Sequence, residues 1–469
     1  MLSLDRSSKT PLYDQLYEQL REGIADGTYP AGSRLPSIRT LTAELRCSRN
    51  TVETAYRTLV SEGFAEAKRG SGYVVADCSR GRVQLDAAPS PRAESAPDPA
   101  ASGLIRYDFT YRDHESGTFP TSTWKSLTAA VLLDPASADP DAYSDPAGEA
   151  DLRQQIARML SSQRGIHCDP SRIVVKNGTQ QSMMSALALF DPAQDGIAME
   201  DPGYDAVRAV FDELGFSVTA CSVWNGEGAF LDSVRASGAK LAFVTPSSQF
   251  PTTWMMTRPA REGLIAWAHE TGGYILEDDF CWEFCHEAPQ MPAIFAIDEG
   301  QRTIYFGTFS KSLSPALRVS YLVLPTHLAQ RWRAANESTY PAVAALLQNV
   351  LARYLADSRS SRNLRKLQTR CREKHAELVR AIREEVGDAV DVIDHGTGLH
   401  VLIGVRDGRS EEDLVAAALE RGVRVYKTRR YFANADRPFG SCLLVGHSAL
   451  ALEDIAPGIR ELASAWFGR

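Results

Sequence analysis

The 469-residue sequence has no run of about 18 apolar residues, so no segment is expected to cross a bilayer as a helix. Its opening, MLSLDRSSKTPLYDQL, has no apolar stretch of the kind a secretory leader needs, and a cytoplasmic protein is expected. Basic residues are not in excess: 51 Lys and Arg stand against 59 Asp and Glu, a net charge of −8. A surface coated in basic patches is excluded, whereas one local DNA-reading face is not. Eight cysteines carry no repeated CxxC, the usage of reduced thiols rather than of a disulfide frame. Cys281, Cys285 and His286 lie close together, but no second ligand pair matches them, so no metal is expected. Self-similarity at periods of roughly 20–50 residues is absent too, which removes solenoids and propellers.

With 44% hydrophobic residues, the chain can bury a large core. One stretch cannot. SRGRVQLDAAPSPRAESAPDPAASGL contains Pro89, Pro91, Pro97 and Pro99 and no aromatic residue, too little apolar surface to offset the entropy of ordering. Residues 79–105 are therefore expected to be a flexible linker between a small module, 1–78, and a body, 106–469.

In the small module, Leu12, Leu16, Leu20 and Ile24 recur every fourth residue, which predicts one amphipathic helix ended by Gly27 and Pro30. Ser37 is a suitable N-cap for a second helix, and a short turn, Arg46 to Ser48, leads to a third. FAEAKRGSGYVVA then reads as two short strands. Three helices followed by a hairpin make a winged helix-turn-helix. The third helix begins with Ser48, Arg49, Asn50 and Thr51, and N-terminal side chains of a recognition helix reach base edges in the major groove. Arg suits guanine, Asn suits adenine, and Ser and Thr reach phosphates or bases. Arg69 at the tip of the wing can enter the adjacent minor groove.

In the body, several apolar runs end in polar clusters: IVV before Lys176, IAME before Asp201, LAFVT before Pro246, YIL before Glu277 and IYF before Gly307. Short apolar strands alternating with helices predict an α/β domain with a mixed, mostly parallel sheet, whose ligands sit beyond the carboxyl ends of the strands. Gly178, Thr179 and Gln180 at a helix N-terminus suit a phosphate, as do Arg318, Thr308 and Ser310. Tyr204 offers a ring for stacking. Asp278 can hold a pyridine nitrogen protonated, and Lys311 can form a Schiff base with an aldehyde. This set describes a site for pyridoxal 5'-phosphate.

Residues 8–76 resemble the GntR-type winged helix, notably in LPSIRTL, SRNTVETAYRTLVSEGF and RGSGYVV. That resemblance implies that Arg39 holds a phosphate and that Arg49, Asn50, Thr51 and Gly70 contact DNA. NGTQQSM, EDPGY, TPSSQFPT, LEDDFCWEF and GTFSKSLSPALRVSYLV resemble fold-type I aminotransferases over most of residues 106–465, with a smaller α+β C-terminal domain. The same resemblance adds Gln249 to the cofactor residues. The fusion is identified as a member of the MocR-type regulators, in which an aminotransferase-like body senses an effector through the cofactor. It implies a domain-swapped, head-to-tail homodimer on double-stranded DNA.

The sequence departs from that pattern at the site. Phe280 replaces the usual Tyr, Ser248 a common His, and Thr253 the usual Gly. Leu444 falls where amino-acid aminotransferases carry a carboxylate-binding Arg, and Ala206 lacks the Arg of the GABA-responsive branch. Arg429 and Arg430 are the nearest substitutes for an anion clamp. The expectation is a regulator that senses a small amine or amino acid without efficient transamination. A working aminotransferase that carries a DNA-binding module is the alternative, and a DNA-binding protein with a cofactor-free body a third reading.

Overall fold

This computed structural model describes residues 2–8, 10–68, 72–76, 105–134, 142–286, 290–434 and 440–468. The chain divides into two compact units, Met1–Ala96 and Pro97–Arg469. The expected linker lies outside the described residues except for Ile105.

In the first unit, α1 (Leu12–Ala25), α2 (Ile38–Leu45) and α3 (Arg49–Ser61) precede an antiparallel hairpin of β1 (Ala65–Lys68) and β2 (Gly72–Val75). The every-fourth-residue pattern of α1 buries Leu16 and Leu20 against Leu41 of α2 and against Val52, Ala55, Tyr56 and Leu59 of α3. The Ser37 cap read from the sequence forms, and Ser48 caps α3 in the same way. The Ser37 hydroxyl accepts from the Thr40 amide and the Ser48 hydroxyl from the Thr51 amide, each at 3.1 Å. Between α2 and α3 the chain turns at Arg46, which adopts the left-handed conformation with φ 49°. A bridge from Arg34 to Val74 fastens the wing to the segment before α2.

In the second unit, β3 (Tyr107–Asp108) is followed by the strands of one large sheet. These are β4 (Ile173–Lys176), β5 (Ile197–Asp201), β6 (Val218–Ser222), β7 (Leu241–Val244), β8 (Tyr274–Asp278), β9 (Thr303–Thr308) and β10 (Ser320–Val323). Their order is β4-β10-β9-β8-β7-β5-β6, and only β10 runs against its neighbours. The central strands are buried on both faces. In β8, for example, Leu276 packs with Met183, Val207 and Phe211 on one side, while Ile275 packs with Leu264 and Trp267 on the other.

The smaller sheet is antiparallel, in the order β11 (Val390–Ile393), β12 (His400–Val405), β15 (Ser441–Gly446), β14 (Tyr426–Lys427). A separate strand, β13 (Val423–Arg424), pairs in parallel with β3. Alternate residues of β12 again take opposite faces. Val401 and Ile403 pack under the helices Ser358–Glu385 and Leu452–Phe467, whereas Leu402 joins Leu444, Tyr431, Tyr111 and Phe250. No helix among the described residues is long and apolar enough to cross a membrane.

Candidate functional site

Five strands of the large sheet deliver their C-terminal residues, or the residues just after them, to one cavity of about 360 Å³. Thr179 and Gln180 follow β4, Tyr204 follows β5, Thr245 follows β7, Asp278 ends β8, and Thr308, Ser310 and Lys311 come from the end of β9. Arg318, which lies just before β10, closes the same side.

Gly178 caps the helix Thr179–Leu187 with φ +83°, a conformation that favours glycine. A Cβ at this position would stand 2.2 Å from Arg318 Nη2, so glycine is what lets the guanidinium lie against the helix N-terminus. Thr308 Oγ1 accepts from the Ser310 amide at 3.1 Å and lies 3.0 Å from Ser310 Oγ. Helix dipole, two hydroxyls and one guanidinium make this corner a receptor for a dianion.

On the opposite wall, the Asp278 side chain is buried and its Oδ1 has no hydrogen-bond partner. Burial, reinforced by the nearby charges of Asp279 and Glu200, pushes its carboxyl up to about 8. Lys311 Nζ donates to the carbonyls of Tyr111 and Arg112 at 3.1 and 3.0 Å. Burial holds its ammonium below the ordinary lysine value, partly offset by Cys281 and Asp113. Tyr204 meets Phe250 edge-on with ring centroids 5.6 Å apart, and burial raises its phenol to about 12.

Gln249 stands apart from the cavity lining. Its Nε2 donates to the carbonyls of Pro202 and Phe250 at 2.6 and 2.8 Å and to Glu200 at 3.3 Å, while Oε1 accepts from the amide and hydroxyl of Thr252. This amide holds the loops after β5 and β7 together, and its expected place beside the cofactor is not shown by the cavity lining. Arg429 and Arg430 are also separated. Arg429 donates to the Asn434 carbonyl at 3.4 Å, while Arg430 pairs with Asp205 at 3.3 Å and with the Tyr431 hydroxyl at 2.9 Å. Neither lines the cavity, although Asp205 does.

Sequence reasoning offered His400 as a structural or pocket-wall residue but missed the rest of the opposite rim, where Tyr111, Arg112 and Asp113 join Phe250 and Leu399 in the lining. His400 Nε2 donates to the Pro251 carbonyl at 2.8 Å, and burial lowers its imidazole to about 4. The segment around residue 111 carries no motif of its own and is held by long-range contacts: β3 pairs with β13, and the Gly446 amide donates to the Phe109 carbonyl. The substitutions seen in the sequence have visible consequences. Leu444 lies wholly buried in the apolar cluster of Tyr111, Phe250 and Leu402, and Phe280 brings a plain ring to the cavity. Thr253 takes the left-handed conformation, φ 59°, that a glycine would occupy without strain.

In the first unit, Arg39, Arg49 and Asn50 are exposed, and Ser48 and Thr51 are joined through their hydroxyls at 2.8 Å. Arg49 is engaged one turn on by Glu53, Nε to Oε1 at 2.8 Å. Arg69 and Gly70 lie outside the described residues.

Residues 12–75 match the family of bacterial regulatory proteins of the gntR type, and residues 116–438 match aminotransferase class I and II. Along its whole length the chain is similar to known regulators. It is 34% identical to an uncharacterized HTH-type transcriptional regulator, YhdI, of Bacillus subtilis, over 99% of this chain and 97% of that one. To the probable rhizopine catabolism regulatory protein MocR of Rhizobium meliloti it is 30% identical, over 99% and 96%. Among solved structures it resembles the α-aminoadipate aminotransferase LysN of Thermus thermophilus, complexed with N-(5'-phosphopyridoxyl)-L-leucine. That likeness has a TM-score of 0.67 at 25% identity and covers 77% of this chain and 92% of that one.

Proposed function

This chain belongs to the MocR-type HTH transcriptional regulators, a GntR-type domain joined to an aminotransferase class I and II domain, and on that premise we propose that its Lys311 holds pyridoxal 5'-phosphate and its cavity receives a small amine or amino acid. The observation that carries the reading is the buried Asp278 carboxyl, whose Oδ1 has no hydrogen-bond partner, in the cavity that Lys311 also lines. A buried carboxyl oxygen left unpaired calls for a hydrogen-bond donor, and a protonated ring nitrogen supplies one. The corner of Gly178, Thr179, Thr308, Ser310 and Arg318 is the matching complement of a phosphate. When bound, the cofactor supplies an aldehyde that condenses with primary amines and a ring that withdraws electrons.

The protein's own residues then have separable tasks. Arg318 and the helix N-terminus neutralise the phosphate. Asp278 keeps a proton on the ring nitrogen, Tyr204 gives the ring a flat neighbour, and Lys311 with its lowered pKa supplies an uncharged amine at a modest cost. With the cofactor held there, Lys311 would be the amine with which an effector amine competes, and its donation to the Tyr111 and Arg112 carbonyls is the contact that such competition would change. Regulation requires that the effector bind two DNA-binding arrangements with different affinity.

For the first unit, the proposed DNA contacts are Arg39, Ser48, Arg49, Asn50, Thr51, Arg69 and Gly70, with α3 as the recognition helix. A homodimer presenting two such units on a double-stranded operator follows from the same family membership. Leu444 leaves β15 without a cation to grip a substrate carboxylate, which favours regulation over efficient transamination.

Borohydride treatment of the purified full-length protein, followed by peptide mapping, tests the reading. The expected result is a visible absorption band that disappears on reduction and a cofactor mass fixed to Lys311. In Lys311→Ala the band and the effector response are lost while basal operator binding survives. A colourless protein, or a Lys311→Ala variant that still responds, would refute it.

A further inference from the structure

Arg112 is one of the residues that line the cavity. Its Nε donates to the Tyr111 hydroxyl at 3.3 Å, and its guanidinium carbon lies 5.5 Å from the centre of that ring. Among the described residues no carboxylate forms an ion pair with it, in contrast to Arg430, which is held by Asp205 at 3.3 Å. A guanidinium carries five donors in a planar fork that fits a carboxylate, sulfonate or phosphonate, and here one weak bond to a phenol occupies it. The backbone of the same residue touches the reactive centre, because the Arg112 carbonyl accepts from Lys311 Nζ at 3.0 Å. The cation therefore stands within one side chain's length of the nitrogen that an effector amine would replace. Phe250, Phe280 and Leu399 give the same cavity an apolar wall.

We infer that Arg112 is the residue that holds the anionic end of the effector, selecting amines that bear a monoanionic group a few carbons from the nitrogen. The role that the sequence offered to Arg429 and Arg430 passes to a residue from the segment after β3. The inference rests on the reading of Lys311 as the amine-accepting site, and its test separates the two.

The probes are 5-aminopentanoate, pentylamine and pentanoate, which carry both ends, the amine alone and the acid alone. Each is titrated calorimetrically into full-length protein loaded with pyridoxal phosphate, and the visible spectrum is followed in parallel. Wild type is expected to bind 5-aminopentanoate about tenfold more tightly than pentylamine, a difference of about 1.4 kcal/mol. In Arg112→Gln that advantage disappears while pentylamine affinity is unchanged; Arg112→Lys restores part of it, and Arg430→Gln keeps it. Pentanoate, which cannot condense, loses affinity in Arg112→Gln alone. If pentanoate behaves in this way while neither amine moves the spectrum, the clamp stands and the amine-sensing reading falls. Retention of the advantage in Arg112→Gln, its loss in Arg430→Gln, or failure of both acids to bind wild type overturns the inference.

Discussion

The Asp278 carboxyl, raised to about 8 from an ordinary 3.8, binds a proton in the folded protein that the unfolded chain has released at neutral pH. Its contribution to stability is present below the unfolded value and lost as pH climbs through the folded one. Glu200, raised to about 7 by burial, acts in the same direction. The cofactor-free protein should therefore lose thermal stability as pH rises from about 4 to about 8, and Asp278→Asn should flatten part of that slope. Scanning calorimetry at stepped pH reads this directly; an Asp278→Asn profile as steep as wild type would contradict it. At Gly178, an alanine Cβ would meet Arg318 Nη2 at 2.2 Å on a backbone of φ +83°. Gly178→Ala should cost roughly 1–2 kcal/mol in stability and, by displacing the guanidinium, weaken cofactor binding more than it weakens the fold. Titration with pyridoxal phosphate alongside a melting curve distinguishes the two effects.

Among the elements, α3 has two tasks that its sequence keeps on separate faces. Val52, Ala55, Tyr56 and Leu59 hold the unit together, while Arg49 and Asn50 face solvent. Arg49→Ala should reduce specific operator affinity by roughly 5- to 150-fold, as for loss of a bidentate base contact. Because Glu53 engages Arg49 and carries charge of the same sign as phosphate, Glu53→Gln should tighten DNA binding, most clearly at low salt. Gel-shift titrations at two ionic strengths check both, and an Arg49→Ala variant with wild-type affinity would remove α3 as the reading helix.

For the whole molecule, the two compact units have separate hydrophobic cores. Leu59→Ala should destabilise the first unit by roughly 2–5 kcal/mol through the lost contacts and the residual cavity. Cofactor absorption from the second unit should remain at its wild-type strength. Loss of that absorption together with DNA binding would show that the units depend on each other for folding.

The sequence by itself determined most of the fold and one wall of the site, because those features are written in local chemistry. Ser37 and Ser48 stand at the positions where helix amides need caps, and the apolar runs of β4, β5, β7, β8 and β9 each end in the polar residues that a sheet's carboxyl edge exposes. Gly178, Asp278 and Lys311 could be singled out because phosphate, ring nitrogen and aldehyde each call for a recognisable residue type, and Asp278 and Lys311 line one cavity. Gln249 and Arg430 have suitable chemistry too, and only packing shows that a buried network and Asp205 engage them, while Arg429 does not line the cavity. Arg112 was illegible for the converse reason. No spacing rule connects it to Lys311, 199 positions away, and a single hydrogen bond between a lysine ammonium and a main-chain carbonyl joins them. Residue type sets what a side chain can do, whereas long-range packing decides which partner is there to receive it.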